Sequence, residues 1–315
     1  MSETRSEEIS ELAGATAVEA CWVQWAALGS PAASVRRVSP SAIVDVEALI
    51  LLSVHASERE RRLADLVSWW ARVGSGLTSV QRFRSVADAF PVGGQYGLSV
   101  FASLAEEAGD RRWSRHVDPD MERPPTRNKG TDAPNLSESC ALWPRLRAGF
   151  GVGAKADALA YLLGSRGAWA STKEIAFATG YSTVAARSAT TEMALARFIR
   201  ETGDRPVQYS APPESWAALL ELPGTPPEVP PWRFWSEIFT FLAGATEWSR
   251  SVSDPAAPGS HVLASRARDL LERHTRAFAF NRIAAPDPDG YRGLAAVEGL
   301  LATTRVVAEW VKGHL

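Results

Sequence analysis

The sequence predicts a mostly α protein built in three parts. Apolar residues recur at helical spacing along most of the chain, and one short stretch alone reads as strand, turn and strand. Two stretches of different character, one poor in large apolar residues and one dense in proline, separate the parts. With 315 residues, 45% hydrophobic and 22% charged, the chain has apolar material for a sizeable core, which excludes disorder throughout.

The first part, 1–109, carries four helical patterns. Residues 7–28 form an Ala-rich helix with Trp22 and Trp25 near its end, stopped by Gly29-Ser30-Pro31. Val44 to Val54 presents Val46, Leu49, Ile50 and Leu52. The third pattern, Leu63, Leu66, Val67, Trp70 and Val73, is a clean stripe ended by Gly74-Ser75-Gly76. Thr78 to Phe90 is the fourth. Residues 110–139, rich in Arg, Asp, Pro and Asn, read as a mobile linker. After a central part, 140–212, the stretch 213–231 closes with Pro223-Gly224-Thr225-Pro226-Pro227-Glu228-Val229-Pro230-Pro231, which predicts an extended connector. Three helical patterns then make a C-terminal domain, 232–315. They carry Trp232, Trp235, Ile238 and Phe239, then Leu263, Ala267 and Leu270, then Val297, Leu300, Val307 and Val311.

Composition excludes several classes. Lys+Arg number 34 against 36 Asp+Glu, a net charge of -2, so the chain is no uniformly basic nucleic-acid coat protein. Cys21 and Cys140 have no CxxC spacing, and His55, His116, His261, His274 and His314 are scattered. No metal or cofactor is therefore expected. The polar, acidic start from Met1 to Glu8 is unlike a signal peptide, and no run of about 20 apolar residues exists. A cytoplasmic protein with no membrane partner is the expectation. Neither HExxH nor GxSxG occurs, and Gly149-Phe150-Gly151-Val152-Gly153-Ala154-Lys155 lacks the phosphate-loop spacing. An enzyme is not expected.

The informative stretch is 143–212. A helix from Lys155 to Leu163 is followed by Gly164-Ser165-Arg166-Gly167 and Trp169. Ser171 with Glu174 three residues on is a capping box, so a helix starts there and stops at Gly180. Ser182 caps the next helix, which runs to about Arg197 with Ala186, Ala189 or Thr190, and Met193 on one face. Residues 198–202 and 207–210 then read as two strands joined by Gly203-Asp204-Arg205-Pro206.

Three helices and a hairpin, with Ala176, Gly180, Ala186 and Ala189 at these spacings, resemble the winged helix-turn-helix regulators of the MarR, ArsR and GntR type. The likeness covers 140–212. In that family small residues let the two helices cross closely and glycine makes the turn. One departure is Arg197, where many such domains have glycine before the wing. The resemblance implies sequence-specific binding of double-stranded DNA by a homodimeric transcriptional regulator, a repressor in this reading, with an effector ligand left unspecified. Thr183, Arg187 and Ser188, behind the cap Ser182, would meet base edges. Ser171, Thr172 and Lys173 would lie over a phosphate, and Arg205 at the wing tip would reach the backbone or minor groove.

Local charge agrees. From 143 to 212 nine basic residues (Arg145, Arg147, Lys155, Arg166, Lys173, Arg187, Arg197, Arg200, Arg205) face five acidic ones (Asp157, Glu174, Glu192, Glu201, Asp204). The segment is thus +4 and the remainder -6. Two alternatives stay open. The helix after Ser182 is poor in Arg, Lys, Asn and Gln, which suits a winged-helix protein-interaction or antitoxin-like component that leaves DNA alone. Residues 44–90, with Arg82 and Arg84, also fit a second, degenerate winged helix. The exposed aromatic positions of the C-terminal helices are the expected dimer surface.

Overall fold

A computed structural model describes residues 3–33, 39–91, 93–127, 130–253 and 259–315. The expected start at Met1-Ser2 and Asn128-Lys129 of the expected linker lie outside the described residues. The chain is mostly α, with one small three-stranded sheet. In order, the elements are α1 (Glu3–Ala27), α2 (Val46–Ala56), α3 (Arg62–Val73), α4 (Val80–Ala89), α5 (Gly94–Glu107), α6 (Leu142–Phe150), α7 (Ala154–Gly164), β1 (Ala170–Ser171), α8 (Thr172–Thr179), α9 (Thr183–Leu195), β2 (Arg200–Glu201), β3 (Gln208–Ser210), α10 (Trp235–Ser253), α11 (Ser260–Asn281) and α12 (Ala296–Lys312).

The helices begin where short polar residues can cap them. Asp45 accepts from the Ala48 N–H at 3.2 Å to open α2, and Ser79 accepts from the Arg82 N–H at 3.2 Å to open α4. Helix α2 is buried on nearly every side, as an apolar helix without a polar face must be. Helix α3 buries Leu63, Leu66, Val67 and Trp70 along the expected stripe.

The N- and C-terminal parts expected as separate domains share one core. Helix α1 lies along α10 and α12, and α2 packs against α1, α3, α4, α5 and α10. Trp25, Trp69 and Trp70 of the first part meet in one cluster at centroid distances of 5.7–6.2 Å, in the same core as Trp235, Phe239, Leu300 and Val307. Helical stripes declare that a face is apolar, not which distant stripe will cover it. That is why periodicity alone divided what packing unites.

Three further expectations are corrected. Residues 110–139 are not a free linker along their described length. Trp113 is fully buried against Phe83 and Phe101, Trp69 Nε1 donates to the Asp132 carbonyl at 3.1 Å, and the Asn135 N–H donates to the Leu28 carbonyl at 2.9 Å. A single tryptophan and a few backbone bonds anchor the segment, too little to register as composition. The proline-rich stretch 213–231 is no extended spacer either. It folds back so that Trp216, Leu220 and Val229 join a second core with Leu146, Leu159, Ile175 and Tyr209. Finally, residues 44–90 form α2, α3 and α4 but no wing: α5 follows, and Arg82 is only 1% exposed.

Arg82 belongs to a buried ion network between the two cores. It forks onto Asp45 at 2.6 and 2.7 Å and reaches Glu47 at 3.0 Å. Glu47 also accepts from Arg147 at 2.5 Å and from the Ser79 N–H at 2.8 Å. Arg147 forks onto Asp157 at 2.7 Å through both Nε and Nη2, and Trp143 Nε1 donates to the same carboxylate at 2.7 Å. The Trp143 ring lies against both guanidiniums, 4.4 and 4.9 Å from its centroid. Three carboxylates thus face two guanidiniums, and the N–H groups of Ala48, Ser79 and Trp143 supply the remaining donors. Burial alone would raise the Glu47 carboxyl. The guanidiniums of Arg147 and then Arg82, with the Ser79 N–H, outweigh it and hold the group below the usual carboxylate range.

Removing one member strands the others in a dry site. Arg147→Ala should cost about 3–5 kcal/mol of stability, read as a fall in the urea midpoint. Lys155→Ala, which breaks an exposed pair with Glu192, should leave that midpoint unchanged. Because the Glu47 carboxyl is depressed in the fold, its contribution is complete above the unfolded value of about 4.3 and is lost as pH falls through the lower folded value. Glu47→Gln, less stable than the parent at pH 7, should therefore lose less stability between pH 5 and pH 3. An equal acid loss in both proteins would contradict this.

Candidate nucleic-acid interface

The central part folds on its own small core. Helix α7 packs against α8, α9 and β3, with Leu159, Leu162 and Leu163 meeting Ile175, Ala186 and Met193. Ala176, Ala186 and Ala189, the small residues picked out by spacing, are all buried, and α8 packs on α9. Gly180 ends α8 at φ +74°, a left-handed conformation that glycine adopts without strain, and its N–H donates to the Ala176 carbonyl at 3.0 Å. Tyr181 follows, buried, its hydroxyl 3.0 Å from Ser79 Oγ. The turn between the two helices is thereby tied to the ion network through Ser79.

The hairpin is shorter than the sequence implies and has an extra partner. Strand β3 lies between β1 and β2, antiparallel to both, with Ala170 opposite Tyr209 and Glu201 also opposite Tyr209. β1 was invisible to pattern: two residues are too few to alternate. Arg197 adopts φ +62°, the left-handed conformation that glycine would take there, and so makes the turn into β2 despite its side chain. Phe150, Phe198 and Trp216 close the base of the hairpin at centroid distances of 5.9–6.1 Å.

The eight residues singled out by sequence divide into two groups. Ser171, Ser182 and Ser188 are occupied locally. The Ser171 hydroxyl and N–H both donate to the Glu174 carboxylate at 2.7 Å, completing the capping box, and Ser182 Oγ accepts from the Ala185 N–H at 3.2 Å. Ser188 Oγ donates to Glu192 at 2.8 Å. Lys155 first, and Ser188 second, hold the Glu192 carboxyl below the usual range. The other group is open. Thr183, Lys173, Arg187 and Arg205 are exposed and Thr172 half-buried; Lys173, Arg187 and Arg205 make no ion pair among the described residues. Arg205 sits in the β2–β3 turn, and Thr183 and Arg187 project from α9.

Sequence reasoning passed over other residues of that surface. Val184 (79% exposed) and Leu195 (85%) stand on the outside of α9 with Thr191. The signal was present: with Ala186, Ala189, Thr190 and Met193 inward, 184, 187, 188, 191 and 195 must face outward. The charge balance survives the structure. Arg147 and Asp157 are buried against each other, which removes one charge of each sign and leaves the module basic by the same amount. Burial pushes both Cys21 and Cys140 up to about 12. Among the described residues, no helix is long and apolar enough to cross a membrane. The chain matches no family model, no curated protein and no solved structure.

The cap and the strained turn separate folding from surface roles. Ser171→Ala should cost about 1 kcal/mol, whereas Arg187→Ala should leave the unfolding midpoint where it is. Arg197→Gly should raise stability by about 1 kcal/mol through relief of the left-handed strain. Thermal or urea unfolding of the three variants measures all of this.

Proposed function

We propose that residues 140–212 are a winged helix-turn-helix and that the chain is a sequence-specific, double-stranded-DNA-binding transcriptional regulator, acting as a homodimeric repressor. One observation carries this reading. Helix α9 buries one face on α7 and α8, while its outer face, with Thr183, Val184, Arg187, Ser188 and Thr191, stands in solvent beside a hairpin turn that presents Arg205. An α-helix fits the major groove, where a bidentate arginine reads guanine and an apolar side chain such as Val184 meets a thymine methyl. Lys173 and Arg205 are then the backbone contacts, sequence-blind but salt-sensitive. Ser171 and Ser182 act through the helix starts they cap. A two-fold dimer would place two such helices on half-sites about one DNA turn apart, or a multiple of that.

The alternative of a protein-interaction role draws on Val184 and Leu195, whose exposure gives α9 an apolar outer edge, and on Glu192 beside them. The surface for self-association narrows. Trp235, Phe239 and Phe241 of α10 are wholly buried, which leaves Phe280 of α11 as the exposed aromatic of the expected C-terminal set among the described residues. The exposed aromatics Phe150, Trp169 and Phe198 lie on the central module.

Fluorescence anisotropy against the chain's own upstream DNA and a scrambled duplex, at about 50 and 200 mM salt, separates the readings. The regulator binds the upstream DNA preferentially and keeps that preference at the higher salt. Arg187→Ala then costs about 1–3 kcal/mol on the preferred sequence alone, while Arg205→Ala weakens both duplexes alike and lowers the salt slope by about 1. Weak, equal binding that disappears with salt, together with a co-purifying protein, would instead favour the interaction role.

A further inference from the structure

Three arginines converge where the central module meets the body of the protein. Arg166 follows α7, Arg233 precedes α10 and Arg282 ends α11. Backbone bonds bring them together. The Trp232 N–H donates to the Gly164 carbonyl at 3.0 Å, the Phe234 N–H to Asn281 Oδ1 at 3.1 Å, and Arg166 Nε to the Val229 carbonyl at 3.1 Å. His314, just after α12, completes the group. Its Nδ1 lies 2.7 Å from the Trp310 carbonyl, and its Nε2 lies 3.3 Å from Arg233 Nη2. A carbonyl can only accept, so Nδ1 carries the proton and Nε2 accepts from the guanidinium. The neutral imidazole therefore holds Arg233 in place without offsetting its charge.

A missing counter-charge sets this group apart. Arg82 and Arg147 are buried against carboxylates, and half-buried Arg72 has Asp65 and Glu107 near enough to raise it. Arg233 is also half-buried. Burial first, and then the charges of Arg166 and Arg282, hold it below the usual arginine value with no carboxylate opposing them. None of the three makes an ion pair among the described residues. Their donors are open: Arg166 and Arg282 are exposed, and Arg233 Nη1 is neither enclosed nor hydrogen-bonded. Like charges held together in a partly dry place repel, and an anion between them relieves that cost.

Position and charge narrow the ligand. Strand β1 runs antiparallel to β3, and Ser210 Oγ donates to the Gly167 carbonyl at 2.8 Å, so Arg166 sits at the end of the sheet away from the Arg205 turn. Glu214 and Glu228 border the groove beside Arg166 and do not pair with it. A long polyanion would meet these carboxylates, whereas a compact anion need not. Guanidinium forks match phosphate oxygens, and three positive charges favour a dianion over a monocarboxylate. We propose that Arg166, Arg233 and Arg282 bind a phosphate group, free or carried by a small molecule, at the junction of module and body. The site is separate from the surface assigned to DNA and does not rest on that assignment. A phosphate held there ties the end of α7 to the connector and to α11.

Equilibrium dialysis of the full chain with radiolabelled inorganic phosphate, at one fixed ionic strength, tests the assignment. One phosphate per chain should bind saturably, and acetate should not displace it. Arg233→Gln should weaken binding about tenfold, as loss of a charge-assisted hydrogen bond does. Arg166→Ala and Arg282→Ala, at exposed positions that leave folding intact, should weaken it as well. Arg84→Ala, an exposed arginine of α4, should change nothing. Glycerol 1-phosphate separates the two sources: displacement at concentrations comparable to phosphate supports a phosphorylated small molecule, and failure to displace supports the free ion. No saturable phosphate binding, displacement by acetate as readily as by phosphate, or unchanged binding in all three variants would each overturn the proposal. So would a DNA duplex whose own binding falls in the same three variants, since the arginines would then be a nucleic-acid contact.

Discussion

The buried network of Asp45, Glu47, Arg82, Arg147 and Asp157 is the interaction on which the architecture turns. Charges in a dry interior are tolerable where each is paired and hydrogen-bonded. These five come from α4, α6, α7 and the start of α2, with the Ser79 N–H and Trp143 Nε1 as further donors; Arg82 Nε has no partner among the described residues. Parting α4 from the start of α2 would strand Arg82, and parting α6 from α7 would strand Asp157. Two hydrophobic cores that could otherwise slide over each other are thereby held in one register, and apolar contact, being non-directional, could not do this alone.

The central module inherits its placement from that network. Tyr181, directly after the turn glycine, meets Ser79, whose own N–H is bound to Glu47. From the other side, Phe177 of α8 rests on Phe234 and Phe280. Helix α8 is thus held by the body of the protein on two sides, while α9 packs mainly on α7 and α8 and turns its other face outward. A helix that must present side chains to a partner needs this division: one neighbour fixed, one face free. The proline-rich stretch contributes by folding under the hairpin, where Trp216 supports Phe150 and Phe198.

Legibility in the sequence followed the range of the interaction. Helix starts at Ser171 and Ser182, the stop at Gly180 and the inward face of α9 depend on neighbours within four residues, and all were readable. Arg197 was flagged as a departure and takes the glycine conformation regardless, since the hairpin it leads into over-determines the turn. Arg82 and Arg147 show the opposite case. In a linear string each is a positive charge, counted toward a basic surface or a second module, and nothing nearby reveals that carboxylates 37 and 100 residues away take them inside. The two-residue β1 and the tryptophan that pins residues 111–116 were hidden for a related reason, because their partners are distant.

By itself, then, the sequence determined most of the helical segments, though not α5 or α6, where α8 and α9 begin and end, and which side of α9 is free. These follow from backbone hydrogen bonding and side-chain periodicity, which act locally. Only the tertiary structure decided that the first and last parts form one core, that the connector wraps rather than extends, and that five ionisable groups are buried together. Those outcomes depend on which apolar faces meet and on the cost of an unpaired buried charge. Both are properties of the assembled interior, and no window along the chain contains them.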